Sequence, residues 1–236
     1  KNHLDPTPAR AILANTSGQY TAKAYGSAVL NLSIGGLNPL AVKYYLKLGA
    51  KIIWMPTLHA RNQIEYFGRD PFANHPGIRL LDENGDLKPE VLEILDLIKE
   101  YDATIATGHI SIGESIAVCN AARERGVRTV LTHPDWTCTT VPADVQTQLV
   151  KKGVILEKLW FDIGINHVTA EYMAQTIRDA GVENCFMATD RGQSGKEYPV
   201  EGLMMFMDAM LDCGFSVEEI HIMTHENPER VLGLRP

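Results

Sequence analysis

Three short apolar runs each end on a side chain that can bind a metal or move a proton: His109 follows Ala103–Thr107, His133 follows Arg128–Thr132, and Asp190 follows Cys185–Thr189. Glu157 closes a fourth run, Val154–Glu157, His59 comes shortly after a fifth, Lys51–Met55, and His3 stands at the start of the chain. Imidazole nitrogens and carboxylate oxygens are ligands for a divalent ion such as zinc. Each also has an everyday use. An Asp after a strand commonly caps the next helix, and a lone His there is commonly a surface group. What singles out His109, His133 and Asp190 is their recurrence at the same phase of three separate run–turn–helix units. In a parallel α/β barrel those positions converge on one mouth.

The elements that must carry these residues are readable. The five runs above and Ala28–Leu32 are rich in Val, Ile, Leu or Thr, as strands buried on both faces are. Between them lie helices with legible ends. Asn38-Pro39 offers an N-cap and a Pro at the first helical position, with Gly49 as the stop. Pro89–Tyr101 places Val91, Leu92, Leu95 and Ile98 on one face. Ser111-x-x-Glu114 and Ser216-x-x-Glu219 read as capping boxes, and helices are expected over Pro142–Lys152 and Thr169–Ala180. In the long excursion between Thr57 and Pro89, Gly77–Asp82 followed by Glu83-Asn84-Gly85-Asp86 predicts a hairpin and a pocket wall. With a strand ending at Lys1-Asn2-His3, seven strands are expected. They would build either a doubly wound open sheet or an eight-stranded barrel lacking its first strand, as a single domain over residues 1–236.

Composition removes other classes. The 236 residues are 45% hydrophobic, and no apolar run approaches the roughly 18 residues of a membrane span. With 22 Lys+Arg against 29 Asp+Glu, a net charge of −7 argues against nucleic acid and anionic membrane as partners. A small-molecule substrate is expected, and a homo-oligomer is left open. Cys119, Cys138, Cys185 and Cys213 show no close spacing, which speaks for a reducing, cytoplasmic setting.

Thr-Gly-His109-Ile-Ser, Thr-His133-Pro-Asp, Asp190-Arg-Gly-Gln193 and Glu-Asn227-Pro-Glu-Arg-Val-Leu-Gly-Leu together resemble the metal-dependent amidohydrolase superfamily. Lys-Asn-His3, Gly-Gly-Leu-Asn-Pro39 and Ile-Trp-Met-Pro56-Thr resemble an uncharacterised branch of it. The resemblance implies a (β/α)8 barrel with an H-x-H pair on the first strand, His on the fifth and sixth, and Asp on the eighth. His109, His133 and Asp190 would then sit on strands five, six and eight. Two features depart from that pattern. The H-x-H is absent, so the chain is expected to lack its natural N-terminus and to extend some ~40–60 residues before Lys1, one or two βα units. The fourth strand, Lys51–Met55, offers no bridging carboxylate, so Glu157 would bridge two ions or the site would hold one.

The implied chemistry is hydrolysis. A divalent metal, zinc by its ligands, brings the pKa of bound water towards about 7. Asp190 would take the proton and pass it to the leaving group, while His133 or the ion stabilises the tetrahedral charge. The expected metal ligands are His3, His109, His133, Asp190 and Glu157. The expected substrate contacts are Lys1, His59, Arg191, Gln193 and Trp136. Arg61, Lys158 and Lys196 also follow runs and could hold an anion, and Trp160 could wall the pocket. The expected enzyme is a hydrolase of a cyclic amide, lactone or ester. A metal-dependent decarboxylase on the same barrel and a metal-free ligand-binding barrel are the alternatives.

Overall fold

A computed structural model describes residues 3–68, 75–164 and 168–235. Contacts gather the chain into two compact units, Lys1–Val130 and Leu131–Pro236. The first carries α1 (Pro8–Thr16), β1 (Gly26–Val29), α2 (Pro39–Lys47), β2 (Ala50–Trp54), α3 (Arg61–Phe67), α4 (Pro89–Glu100), β3 (Thr104–Ala106), α5 (Ile112–Glu124) and β4 (Arg128–Leu131), whose last residue opens the second unit. There follow α6 (Ala143–Lys151), β5 (Ile155–Leu159), α7 (Ala170–Ala180), β6 (Cys185–Ala188), α8 (Pro199–Asp212), α9 (Val217–His221) and α10 (Asn227–Val231).

All six expected runs form strands. Their order is that of the chain, β1-β2-β3-β4-β5-β6, and β1–β2, β2–β3, β3–β4 and β5–β6 pair in parallel. A doubly wound sheet reverses its order at a switch point, whereas a barrel winds in one direction. The unbroken order therefore removes the doubly wound alternative. Of the strand expected at Lys1–His3, Lys1 and Asn2 lie outside the described residues, and His3 lies in a bend.

In the first unit, Ile53 pairs with Ile105 and Ile105 with Thr129, all buried. Val42 and Leu46 of α2 and Val91, Ile94, Leu95 and Ile98 of α4 cover that sheet. Ile94 takes the place expected for Leu92, because positions 91, 94, 95 and 98 make one stripe at helical period. Asn38 caps α2 by accepting from the Ala41 N–H. Both halves of the Ser111–Glu114 box are present, and Glu114 also accepts from Leu80 N at 2.7 Å, tying the insertion to α5. The expected hairpin is reduced to a turn with one bridge, Leu81 to Leu87, because Asp82 Oδ1 takes the N–H groups of Asn84 and Asp86 that a longer ladder would use. The insertion does wall a cavity of about 440 Å³, lined by Arg61, Arg79, Asp82, Asn84 and Ser111 among others.

In the second unit, Leu156 pairs with Cys185 and Leu159 with Ala188. Leu149, Met173, Ile177, Phe206 and Met210 of the helices are buried. The Ser216–Glu219 box caps α9, which runs through a π-helical turn into α10. Asn227, at the head of α10, donates to the carbonyls of Val182 and Cys185 and so fixes the start of β6. Among the described residues, no helix is long and apolar enough to cross a membrane.

Candidate active site

In the first unit the strand ends gather His3, His59 and His109. Asn31, just after β1, holds them: its Oδ1 accepts from the N–H groups of Thr57 (2.9 Å) and His59 (3.1 Å), and its Nδ2 donates to the His3 carbonyl (2.9 Å) and Thr57 Oγ1 (2.8 Å). Thr57 Oγ1 meets His3 Nδ1 at 2.7 Å, and the His3 and His109 rings stand 5.9 Å apart. His109 reaches this position because Gly108 takes φ +63° and passes close over β2; a Cβ there would lie 2.3 Å from the Met55 carbonyl oxygen. His109 N then donates to Pro56 O, and its ring Nδ1 pairs with Gln63 Oε1.

The second unit treats His133 differently. His133 follows β4, Asp162 follows β5 and Asp190 follows β6, three consecutive strand ends. The imidazole lies between the two carboxylates, with Nδ1 at 3.3 Å from Asp162 Oδ1 and Nε2 at 3.2 Å from Asp190 Oδ2. His133 and Asp162 are buried, while the Asp190 side chain is 25% exposed. Burial pushes the Asp162 carboxyl above its ordinary pKa; the hydrogen bond and charge of His133 oppose this, and the Asp135 and Asp190 carboxylates add to it. Asp162 Oδ2 is buried with no hydrogen-bond partner among the described residues.

The backbone marks the same place. Among the described residues, His133 (φ +49°) and Asp190 (φ +46°) are two of three non-glycine residues with positive φ, the third being Asp102 (φ +50°). Asp102 lies just beyond the C-cap of α4, where a left-handed residue is an ordinary way to end a helix. His133 and Asp190 end no helix. Left-handed backbone outside such positions costs on the order of 1–3 kcal/mol and clusters at functional sites. The His133 turn is held by its own carbonyl, which accepts from Thr139 Oγ1 (2.6 Å) and Trp136 N (3.1 Å).

Aromatic rings enclose the imidazole: Trp136 at 5.3 Å and Phe161 at 6.1 Å between centroids. Trp136, an expected substrate contact, therefore lies against the His133 ring. Gln193 is exposed and donates its amide back to the Asp190 carbonyl. The Arg191 and Trp160 side chains both donate to Glu197 Oε1. Lys1 lies outside the described residues.

Two expectations need correction. Glu157 does not close its strand: β5 runs on to Leu159, and Glu157 sits buried within it, paired with Phe186. Lys158 is no strand-end anion holder. It is fully buried, and its ammonium donates to Asp135 (2.8 Å), Gln146 (3.0 Å) and Thr176 (3.0 Å), on the side of α6 and α7. Because side chains alternate along a strand, Glu157 faces away from those helices. Arg61 lies at the start of α3, where it bonds Glu65 and the Pro76 carbonyl. Sequence reasoning missed Asp162, Asn31 and Gln63.

Among the described residues, no group of three or more His, Cys, Asp and Glu is set to hold a metal ion. The His133–Asp190 pair nevertheless has the chemistry of two ligands. Two donors about 2.1 Å from one ion at a tetrahedral angle stand about 3.4 Å apart, close to the observed 3.2 Å. Asp162 on Nδ1 is the carboxylate that commonly orients a metal-binding imidazole.

The sequence matches a family of unknown function, DUF6282, over residues 1–157. No curated protein matches it by sequence. Solved structures do match in fold. A candidate 2-pyrone-4,6-dicarboxylic acid hydrolase from Pseudomonas putida is similar at TM-score 0.61 and 12% identity, over 98% of this chain and 79% of that one. An amidohydrolase from Pseudomonas aeruginosa gives TM-score 0.59 and 14% identity, over 83% and 67%. A metallo peptidase from Rhodobacter sphaeroides gives 0.58 and 13%, over 87% and 62%. The chain therefore shares the fold of these structures.

Proposed function

We propose that this chain, which belongs to the family of unknown function DUF6282, is a metal-dependent hydrolase that opens a C–N or C–O bond beside a carbonyl in a small molecule such as a cyclic amide, lactone or ester. The observation that carries the reading is His133, held between Asp162 and Asp190 at three successive strand ends, two of them on left-handed backbone. The names of the similar structures, a metallo peptidase and hydrolases among them, support it.

A divalent ion, zinc by the donor types, supplies Lewis acidity and a water acidic enough to react near neutral pH when bound. His133 Nε2 and Asp190 would hold it. Asp162 accepts a hydrogen bond from Nδ1–H, which keeps the proton there, leaves Nε2 as the free lone pair and keeps the ring from turning. Asp190, the most exposed of the three groups, accepts the proton of the attacking water and returns it to the leaving nitrogen or oxygen. Trp136 and Phe161 shield the imidazole from bulk water, which strengthens its electrostatic partners. The ligand roles of His3, His109 and Glu157 and the substrate roles of Lys1, His59 and Gln193 rest on the family resemblance. The four thiols, none in a disulfide, fit a cytoplasmic setting.

Elemental analysis of the purified protein, followed by a hydrolysis screen over lactones, cyclic amides and esters, tests the reading. A bound divalent metal that His133→Ala lowers, together with turnover on one of these classes, is the expected result. Full metal content in His133→Ala, or no turnover in a metal-loaded protein, overturns it.

A further inference from the structure

Arg191 directly follows Asp190, and its side chain is 8% exposed. Its Nε donates to Glu197 Oε1, the same oxygen that accepts the Trp160 indole N–H. Its Nη1 is buried and has no hydrogen-bond partner among the described residues. The guanidinium carbon lies 5.5 Å from the centre of the Phe161 ring, and Phe161 in turn stands edge-on to His133. The open nitrogen therefore belongs to the surroundings of the Asp162–His133–Asp190 cluster.

This placement is built. At Gly202, the fourth residue of α8, a Cβ would lie 3.2 Å from Trp160 Cδ1, 3.3 Å from Arg191 Cγ and 3.4 Å from Glu197 Cγ, so the three side chains pack where a larger residue would push them apart. Glu197 is held ionised by a bond to its own backbone and by Arg191. It fixes one edge of the guanidinium and leaves the other directed elsewhere. A buried charged donor without an acceptor is costly, and the planar fork of arginine suits the oxygens of a carboxylate or phosphate.

We propose that Arg191 binds a carboxylate group of the substrate, with Glu197 and Trp160 as its positioning residues; this rests on the hydrolase reading above. Charge selects carboxylate over phosphate. Glu197 already offsets the guanidinium and Asp190 is its chain neighbour, so a second negative charge on the ligand would add repulsion that a single one avoids.

The test compares matched pairs on the zinc-loaded protein: 2-pyrrolidinone against 5-oxoproline, and γ-butyrolactone against its ring carboxylate and its ring phosphonate. The carboxylate member should be favoured by at least ~10²-fold in kcat/KM, chiefly through KM. Arg191→Gln should bring that ratio near one, and Arg191→Lys should restore part of it. Equal rates within pairs in the wild type, a ratio unmoved by Arg191→Gln, or preference for the phosphonate overturns the proposal even if hydrolysis is confirmed. The wild-type ratio decides should Arg191→Gln fail to fold. If no member is hydrolysed, binding of 5-oxoproline followed by NMR separates the two readings. Binding weakened at least ~10-fold by Arg191→Gln keeps the carboxylate site while the hydrolase reading falls, and no binding sinks both.

Discussion

The second unit buries two clusters of ionisable groups, around Lys158 and around His133, and they are finished to different degrees. Lys158 has three N–H donors and spends them on Asp135, Gln146 and Thr176; Gln146 also donates to Asp135 Oδ1 at 3.2 Å. None of these four residues has left-handed backbone. The His133 cluster has an orphaned oxygen on Asp162, a neighbouring orphaned nitrogen on Arg191 and two residues on left-handed backbone. A buried cluster kept for structure completes its hydrogen bonds, because each open one weakens the fold. One left open and strained is what the proposed hydrolase site would require.

The largest expected effect lies on the finished side. Lys158→Ala strands the Asp135 carboxylate and should lower unfolding free energy by about 3–5 kcal/mol in urea titration. Under conditions where the variant is folded, turnover per folded molecule should stay within about twofold. A variant of normal stability would break the contrast. On the unfinished side, Asp190→Asn should cut turnover by at least ~10²-fold, about 2.7 kcal/mol of barrier, with urea midpoints little changed. A large stability loss with normal turnover would make the cluster structural after all.

A third expectation uses pH. The Asp162 carboxyl is raised by burial, so the folded chain holds this proton at pH values where the unfolded chain has released it. Its contribution to stability is then greatest below its unfolded pKa and falls as pH rises through its folded value. The stability of wild type relative to Asp162→Asn should therefore decline on going upward from pH 3.8, the ordinary value of the group. An opposite slope would mean that the His133 charge outweighs burial. The smallest effect belongs to the surface. Glu219, brought down to about 2 chiefly by Arg178 and also by the Ser216 N–H, supports stability above its ordinary value near 4.5 and loses it as pH falls through about 2. Glu219→Gln should shift the urea midpoint only slightly at pH 7, and not at all below pH 2.

Much of this architecture is legible in the residues, because parallel strands buried on both faces read as unbroken apolar runs. All six runs are strands, and Ser111–Glu114, Ser216–Glu219 and Asn38 cap the helices expected of them. The same rule hid Asp162. Glu157-Lys158 looks like the charged end of a run, yet both are buried, and β5 continues to Leu159 before a short 3-10 turn delivers Asp162 beside His133. An ammonium can lie inside a strand only when acceptors come from elsewhere, here from α6, α7 and Asp135, and no local pattern announces that. His133 and Asp190 were legible as strand-end groups; their left-handed backbone was not, since both residue types also adopt ordinary geometry.

Asn31 carries one more consequence. An amide side chain has two donor hydrogens and a carbonyl with two lone pairs, and Asn31 uses all four on the main chain of His3, Thr57 and His59 and on the Thr57 hydroxyl. A side chain thus does for these loops what a neighbouring strand does for a sheet. The amide protons of Thr57 and His59 lie outside any regular element, yet they should exchange with deuterium as slowly as those of β2, because releasing either requires Asn31 to let go of several partners together.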